Sequence, residues 1–144
     1  MLEEPLVRES VQPGLIGLLA HALVTSGFAM LMVGTSRPVS GAEHKISHAI
    51  DELFGGRAHH GAQVAFASLV SVALHGLEVE SFRRCLVNLG LPHHPRQLGL
   101  SEEDMVNVLL RAPNTRPGRF TVLESAALDA PAAAGVVRSL WPQA

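Results

Sequence analysis

The stretch SRPVSGAEHKISHAIDELFGGRAHHG, Ser36 to Gly61, holds four of the chain's eight histidines between two apolar segments, and its periodicity decides the fold. Ile46, Ile50, Leu53 and Phe54 recur at i, i+4, i+7 and i+8, which predicts a helix with a core-facing stripe. His44, His48 and Asp51 recur at i, i+4 and i+7. An offset of two residues turns a helix by about 200°, so this second stripe lies on the opposite side. Ser40 with Glu43 three residues later reads as a capping box opening the helix, and two glycines close it after Phe54.

The His/Asp stripe is not needed for the core, so it faces either solvent or a cleft lined by other helices. Two histidines at i and i+4 are able to hold one metal as neutral imidazoles. A carboxylate one turn on, Asp51 or Glu52, would then orient a ring N–H. A merely solvated face has the same spacing, and the paired His59 and His60 before Gly61 do not decide between the two.

Working outward, helical periodicity continues almost everywhere. A first helix is predicted over about Pro13 to Met32, with Pro in its first turn and Gly34 past its end. No charged residue occurs from Ser10 through Ser36, and the segment is nearly long enough to cross a bilayer. It carries His21, Thr25, Ser26 and several glycines, with no Trp or Tyr at either end. The expectation is therefore a helix buried on most sides within the domain, and no membrane. Further helices are predicted over about Gly61 to Leu74, Val79 to Leu89, Ser101 to Arg111 with Asp104 completing a cap, and after Asp129. LPHHPRQLG (91–99) reads as a loop. APNTRPGRFTVLES (112–125) reads as irregular, with one short extended piece. The fold class expected is all-α, a single compact bundle of about six helices over residues 1–144.

Composition narrows the function classes. A chain of 144 residues with 47% hydrophobic and 17% charged residues forms one globular domain, not a disordered segment. The net charge of −2 offers no basic surface, and no Tyr and one Trp leave little to stack bases on, so no nucleic-acid partner is expected. Cys85 is the only cysteine, which excludes an internal disulfide and makes the cytoplasm the default compartment. The acidic start MLEEPLVRES does not resemble an export signal.

Three segments together carry a family resemblance: LVTSGFAMLMVGTSRPVSGAEHKISHAID, then HHGAQVAFASL, then LHGLEVESFRRCLVNLGLPHHPRQLGLSEEDMVNVLLRAPNTRPGRFTVLE. They resemble the C-terminal helical domain of sn-glycerol-1-phosphate dehydrogenases, in the iron-containing alcohol dehydrogenase and dehydroquinate synthase superfamily. The resemblance implies an NAD(P)-binding α/β domain and a helical domain, with a divalent metal, zinc or iron, in the cleft between them. It implies an Asp and two histidines as ligands, the latter being His48 of SHAID and His60 of HGxQV. His44 of GAEH would line the same cleft and look toward a small-molecule substrate. His44, His48 and His60 are thus the candidate acid–base residues. Arg37, Arg116 and Arg119 fall in motifs that would meet a phosphate, which guanidinium forks suit.

The departures from that pattern matter equally. No Gly-rich turn on a parallel sheet is present, so NAD(P) would have to come with a partner chain. The family's Asp ligand is missing, Ala62 stands where Glu is usual, and Pro113 stands where a His precedes RPxR. Asp51, His44 or His59 are the candidates to replace the lost ligand. Three readings follow. The chain is half of a split enzyme, completed by a nucleotide-binding subunit and showing an exposed apolar surface. Or it is a free-standing, redox-neutral biosynthetic catalyst of elimination, isomerisation or cyclisation. Or it is a non-catalytic binding or scaffold protein. The last two imply a homodimer that covers the old interface.

Overall fold

In the computed structural model, which describes residues 13–142, the helices are Pro13–Val33 (α1), Ala42–Phe54 (α2), His60–Leu74 (α3), Val79–Asn88 (α4), Glu102–Arg111 (α5), Val122–Ala126 (α6) and Ala130–Leu140 (α7). Three 3-10 turns, Arg37–Val39, Pro95–Leu98 and Ala112–Thr115, link them, and no strand occurs among the described residues. The expected all-α class holds, with one helix more than predicted.

The core forms where α2 lies along α3, with α5 packed on α2, α7 packed on α3, and α5 and α7 packed on each other. Ile46 and Ile50 of α2 meet Phe66, Leu69 and Val70 of α3, with Met105, Val108 and Leu109 from α5 and Val137 from α7. Trp141 closes one end: its ring stacks on Phe66 with centroids 5.3 Å apart, and its Nε1 donates to the His93 carbonyl at 2.8 Å. Arg83 of α4 donates to the Leu140 carbonyl at 2.7 Å, tying α4 to the end of α7. A side chain the size of Phe or Trp buried here contributes about 3 kcal/mol or more, which is why this end is fixed.

Local signals account for most boundaries. Ser101 and Asp104 form the expected capping box on α5, and the Asp129 carboxylate accepts from the Ala132 N–H at 2.8 Å on α7. The α2 box does not form. Gly41 is the N-cap, and Glu43 instead accepts from the Gly41 N–H at 2.6 Å. Leu53 also departs from the expected stripe. It is 43% exposed, while Ala42 and Ala49 complete the buried face. The 112–125 segment contains no extended strand. Thr121 and Glu124 cap each other and nucleate α6. The 91–99 loop holds a 3-10 turn, its N-terminus capped by the His94 ring.

The largest correction concerns α1. It was expected to be buried on most sides, yet Leu23, Leu31 and Met32 are 73%, 76% and 86% exposed. Its main contact is the Arg37–Val39 turn, with Leu15 facing α4 across a groove. The reason is compositional: a helix apolar on every side has no polar face to leave in water, and the described residues offer no enclosure around it. It is long and apolar enough to cross a membrane by length and composition.

Candidate functional site: three imidazoles beside an arginine groove

His44 and His48 sit one turn apart on α2, and His60 is the first residue of α3. Because the two helices lie side by side, the three rings converge. The His44 and His60 centroids are 5.4 Å apart, and those of His48 and His60 are 5.9 Å apart with planes at 29°. The predicted acid–base residues are thus in one place.

A buried network sets their positions. Gln63 is inaccessible to solvent, and its Oε1 accepts from the N–H groups of Arg57 and Ala58 at 2.8 and 3.2 Å. Its Nε2 donates to Ser47 Oγ at 3.2 Å and to Asp51 Oδ1 at 2.8 Å. Ser47 Oγ in turn lies 3.3 Å from His60 Nδ1. The α2–α3 loop is therefore pinned at both ends, and His60 is oriented through Nδ1, which leaves Nε2 for a ligand. On the other flank, His44 Nδ1 is 2.9 Å from Glu43 Oε1. Burial opposes ionisation of Glu43, but the bonds from His44 and Gly41 outweigh it and hold its carboxyl below the usual range.

The three predicted arginines also meet. Arg37, Arg116 and Arg119 line a groove of about 350 Å³ with Thr35, Thr115, Pro117 and Gly118, and no carboxylate is among its lining residues. Arg116 joins groove and imidazoles, for its Nη2 is 2.9 Å from His48 Nε2. An arginine only donates, so His48 accepts through Nε2 in its neutral form. Burial lowers the His48 pKa, and the Arg116 and His60 charges lower it further. Arg119 serves partly as a brace, donating to the Ser40 carbonyl at 2.9 Å and to Ser36 Oγ at 3.0 Å.

Lys45 holds this loop in place. It is 1% exposed, donates to the Arg119 carbonyl at 2.8 Å and pairs with the Glu124 carboxylate. Thr115 Oγ1 adds bonds to the carbonyls of Lys45 and Ala112 at 3.3 and 2.9 Å. Sequence reasoning missed Lys45 and Gln63. The signals were a lysine in register with Ala42 and Ala49 on the core face, and the Gln of HGxQV itself.

The donor set falls short of the implied divalent metal. A catalytic zinc takes three protein ligands plus water. No group of three His, Cys, Asp or Glu side chains able to hold a metal ion is found among the described residues. Asp51 is engaged by Gln63, and His59 lines a separate cleft of about 690 Å³ with Ala62, Leu91 and Leu98. His48 Nε2 is already taken by Arg116.

No family model matches the chain. It is 38% identical over 129 residues to the glycerol-1-phosphate dehydrogenase (NAD(P)+) of Methanospirillum hungatei, an alignment covering 86% of this chain and 36% of that one. The enzyme of the same name from Hyperthermus butylicus is 39% identical over 132 residues, covering 92% and 36%. That of Methanoregula boonei is 43% identical over 103 residues, covering 72% and 29%. The chain thus spans about a third of the length of these relatives, consistent with their C-terminal part.

Proposed function

We propose that this chain, related in sequence to one third of a glycerol-1-phosphate dehydrogenase, is the helical, substrate-facing part of an oxidoreductase of that kind, its nucleotide-binding part carried by polypeptide outside these 144 residues. The observation that carries the reading is α1, apolar on all sides yet with none of its described residues buried. Such a helix calls for enclosure. His21, Thr25 and three glycines within it favour protein over lipid as what encloses it. The helix leads directly into Thr35 and Arg37 of the groove, so whatever encloses it also roofs the site.

The chain's own residues supply binding and proton handling. The guanidinium groups of the groove hold the phosphate of a small phosphorylated alcohol. The imidazoles beside them reach its hydroxyl, and a neutral histidine there accepts the hydroxyl proton. With no strand there is no strand–turn–helix cradle for a dinucleotide among the described residues, so NAD(P) belongs to the complementary part.

The test is complementation. The chain is mixed with the Methanospirillum hungatei enzyme truncated to the two thirds that it does not match. A stable complex, protection of α1 from proteolysis, and NAD(P)+-dependent oxidation of glycerol-1-phosphate by the mixture alone are expected. Failure to associate would overturn the reading, and a complex without activity would reduce the chain to a binding protein.

A further inference from the structure

The family resemblance implies His48 and His60 as metal ligands, whereas the structure gives His48 a different cation. We propose that Arg116 holds the place of a divalent ion in this cleft, its guanidinium and a metal being mutually exclusive partners of His48 Nε2.

An imidazole nitrogen offers one lone pair, and a ligated metal would lie about 2.0–2.1 Å along it. Arg116 Nη2 already sits 2.9 Å from that nitrogen. The Arg116 side chain is exposed, but the backbone that carries it is tethered. Its neighbour Thr115 is bonded to two carbonyls, one of them on α2, and its loop is fixed three residues on by Lys45 at the Arg119 carbonyl. The backbone bearing Arg116 is therefore held against the helix bearing His48.

Charge works in the same direction. Arg37 and Arg119 share the groove with Arg116, and no carboxylate lines it. A divalent ion approaching His48 would meet the positive charges of Arg37 and Arg119 on its open side, and no group of three ligands able to hold it is found among the described residues. An anion would meet the opposite field. The cleft is thus built as a cation-bearing anion site, with a tethered guanidinium where an exchangeable ion would otherwise bind. This inference concerns the chain by itself and does not depend on whether the complementation above succeeds.

Isothermal titration of the intact chain with Zn²⁺ alone tests it, comparing the natural sequence with Arg116→Ala and with Arg116→Ala/His48→Ala. Circular dichroism confirms that each variant is folded. Releasing a charge-assisted hydrogen bond from His48 is expected to strengthen Zn²⁺ binding about tenfold or more, and the second substitution is expected to remove the gain. Equal Zn²⁺ affinity in the natural chain and Arg116→Ala, whether strong or absent in both, would overturn the proposal. So would a gain that survives His48→Ala.

Discussion

The ammonium of Lys45, buried in the core face of α2, donates to the backbone carbonyl of Arg119 at 2.8 Å. Through this one bond the helix that carries His44 and His48 also sets the height of the loop that carries Arg116 and Arg119. The imidazoles and the groove are therefore tied to one another, not merely neighbouring features. The partner carboxylate, Glu124, closes the arrangement from α6.

Lys45→Met is expected to destabilise the protein by about 2 kcal/mol. This is less than the ~3–5 kcal/mol typical of breaking a fully buried pair, because Glu124 stays 24% exposed and rehydrates. Phosphate affinity should fall with it, since the Arg119 carbonyl loses its anchor. Urea unfolding followed by circular dichroism, alongside phosphate titration, measures both. Unchanged phosphate binding would separate the loop from the ion pair.

Gln63→Ala is expected to cost about 2–3 kcal/mol, because it leaves the Arg57 and Ala58 N–H groups without their acceptor and removes a donor from Asp51. Ser47→Ala should cost less, about 1 kcal/mol, while loosening His60. Nuclear magnetic resonance of the imidazole nitrogens would show the His60 tautomer becoming mixed in Ser47→Ala and unchanged in the parent.

Acid stability should decline in two stages. The His94 pKa is lowered from its ordinary 6.5, first by burial and then by the charges of Arg96, His93 and Arg83. Its Nδ1 also accepts from the Arg96 N–H at 3.2 Å, which requires the neutral ring. A depressed folded-state pKa means that the unfolded chain binds the proton more readily. The associated stability is full above 6.5 and is lost as pH falls below it. Glu124 is lowered from 4.5: burial would raise it, but bonds from Lys45 and Thr121 prevail, so its contribution is lost on acidification below 4.5. A melting-temperature profile should show both stages. His94→Asn, which keeps an acceptor at the cap, should weaken only the upper one, the remainder of that stage belonging to His48.

Isolated from any enclosing partner, the chain is expected to self-associate through α1. Replacing Leu23, Leu31 and Met32 with Lys should lower the weight-average mass in analytical ultracentrifugation. It should leave the unfolding midpoint within about 0.5 kcal/mol of the parent, because none of the three joins the core. A collapse in stability instead would place α1 in the fold after all.

What the sequence discloses divides along physical lines. The α2 stripe, the caps at Ser101 and Asp129 and the meeting of His44, His48 and His60 follow from period and motif, because local spacing and one helix pair suffice to produce them. The exposure of α1 does not follow: apolarity says that a helix wants cover, not that these residues provide it. Lys45 was equally hidden, since a lysine among alanines looks like a solvated interruption until Glu124, 79 residues away, is brought to it. The bond between Arg116 and His48 spans 68 residues and belongs wholly to tertiary packing.

Trp141 is the sole tryptophan, there is no tyrosine, and its indole is packed on Phe66 with His94 edge-on at 6.3 Å. The protein therefore has a single long-wavelength fluorophore, placed at one end of the core beside the His94 ring. Its emission should be blue-shifted in the native state, should move red in one step on unfolding, and should be quenched as His94 gains a proton. Trp141 does not line the arginine groove, so intensity changes on anion or Zn²⁺ addition would report a rearrangement of the core and not occupancy of the site.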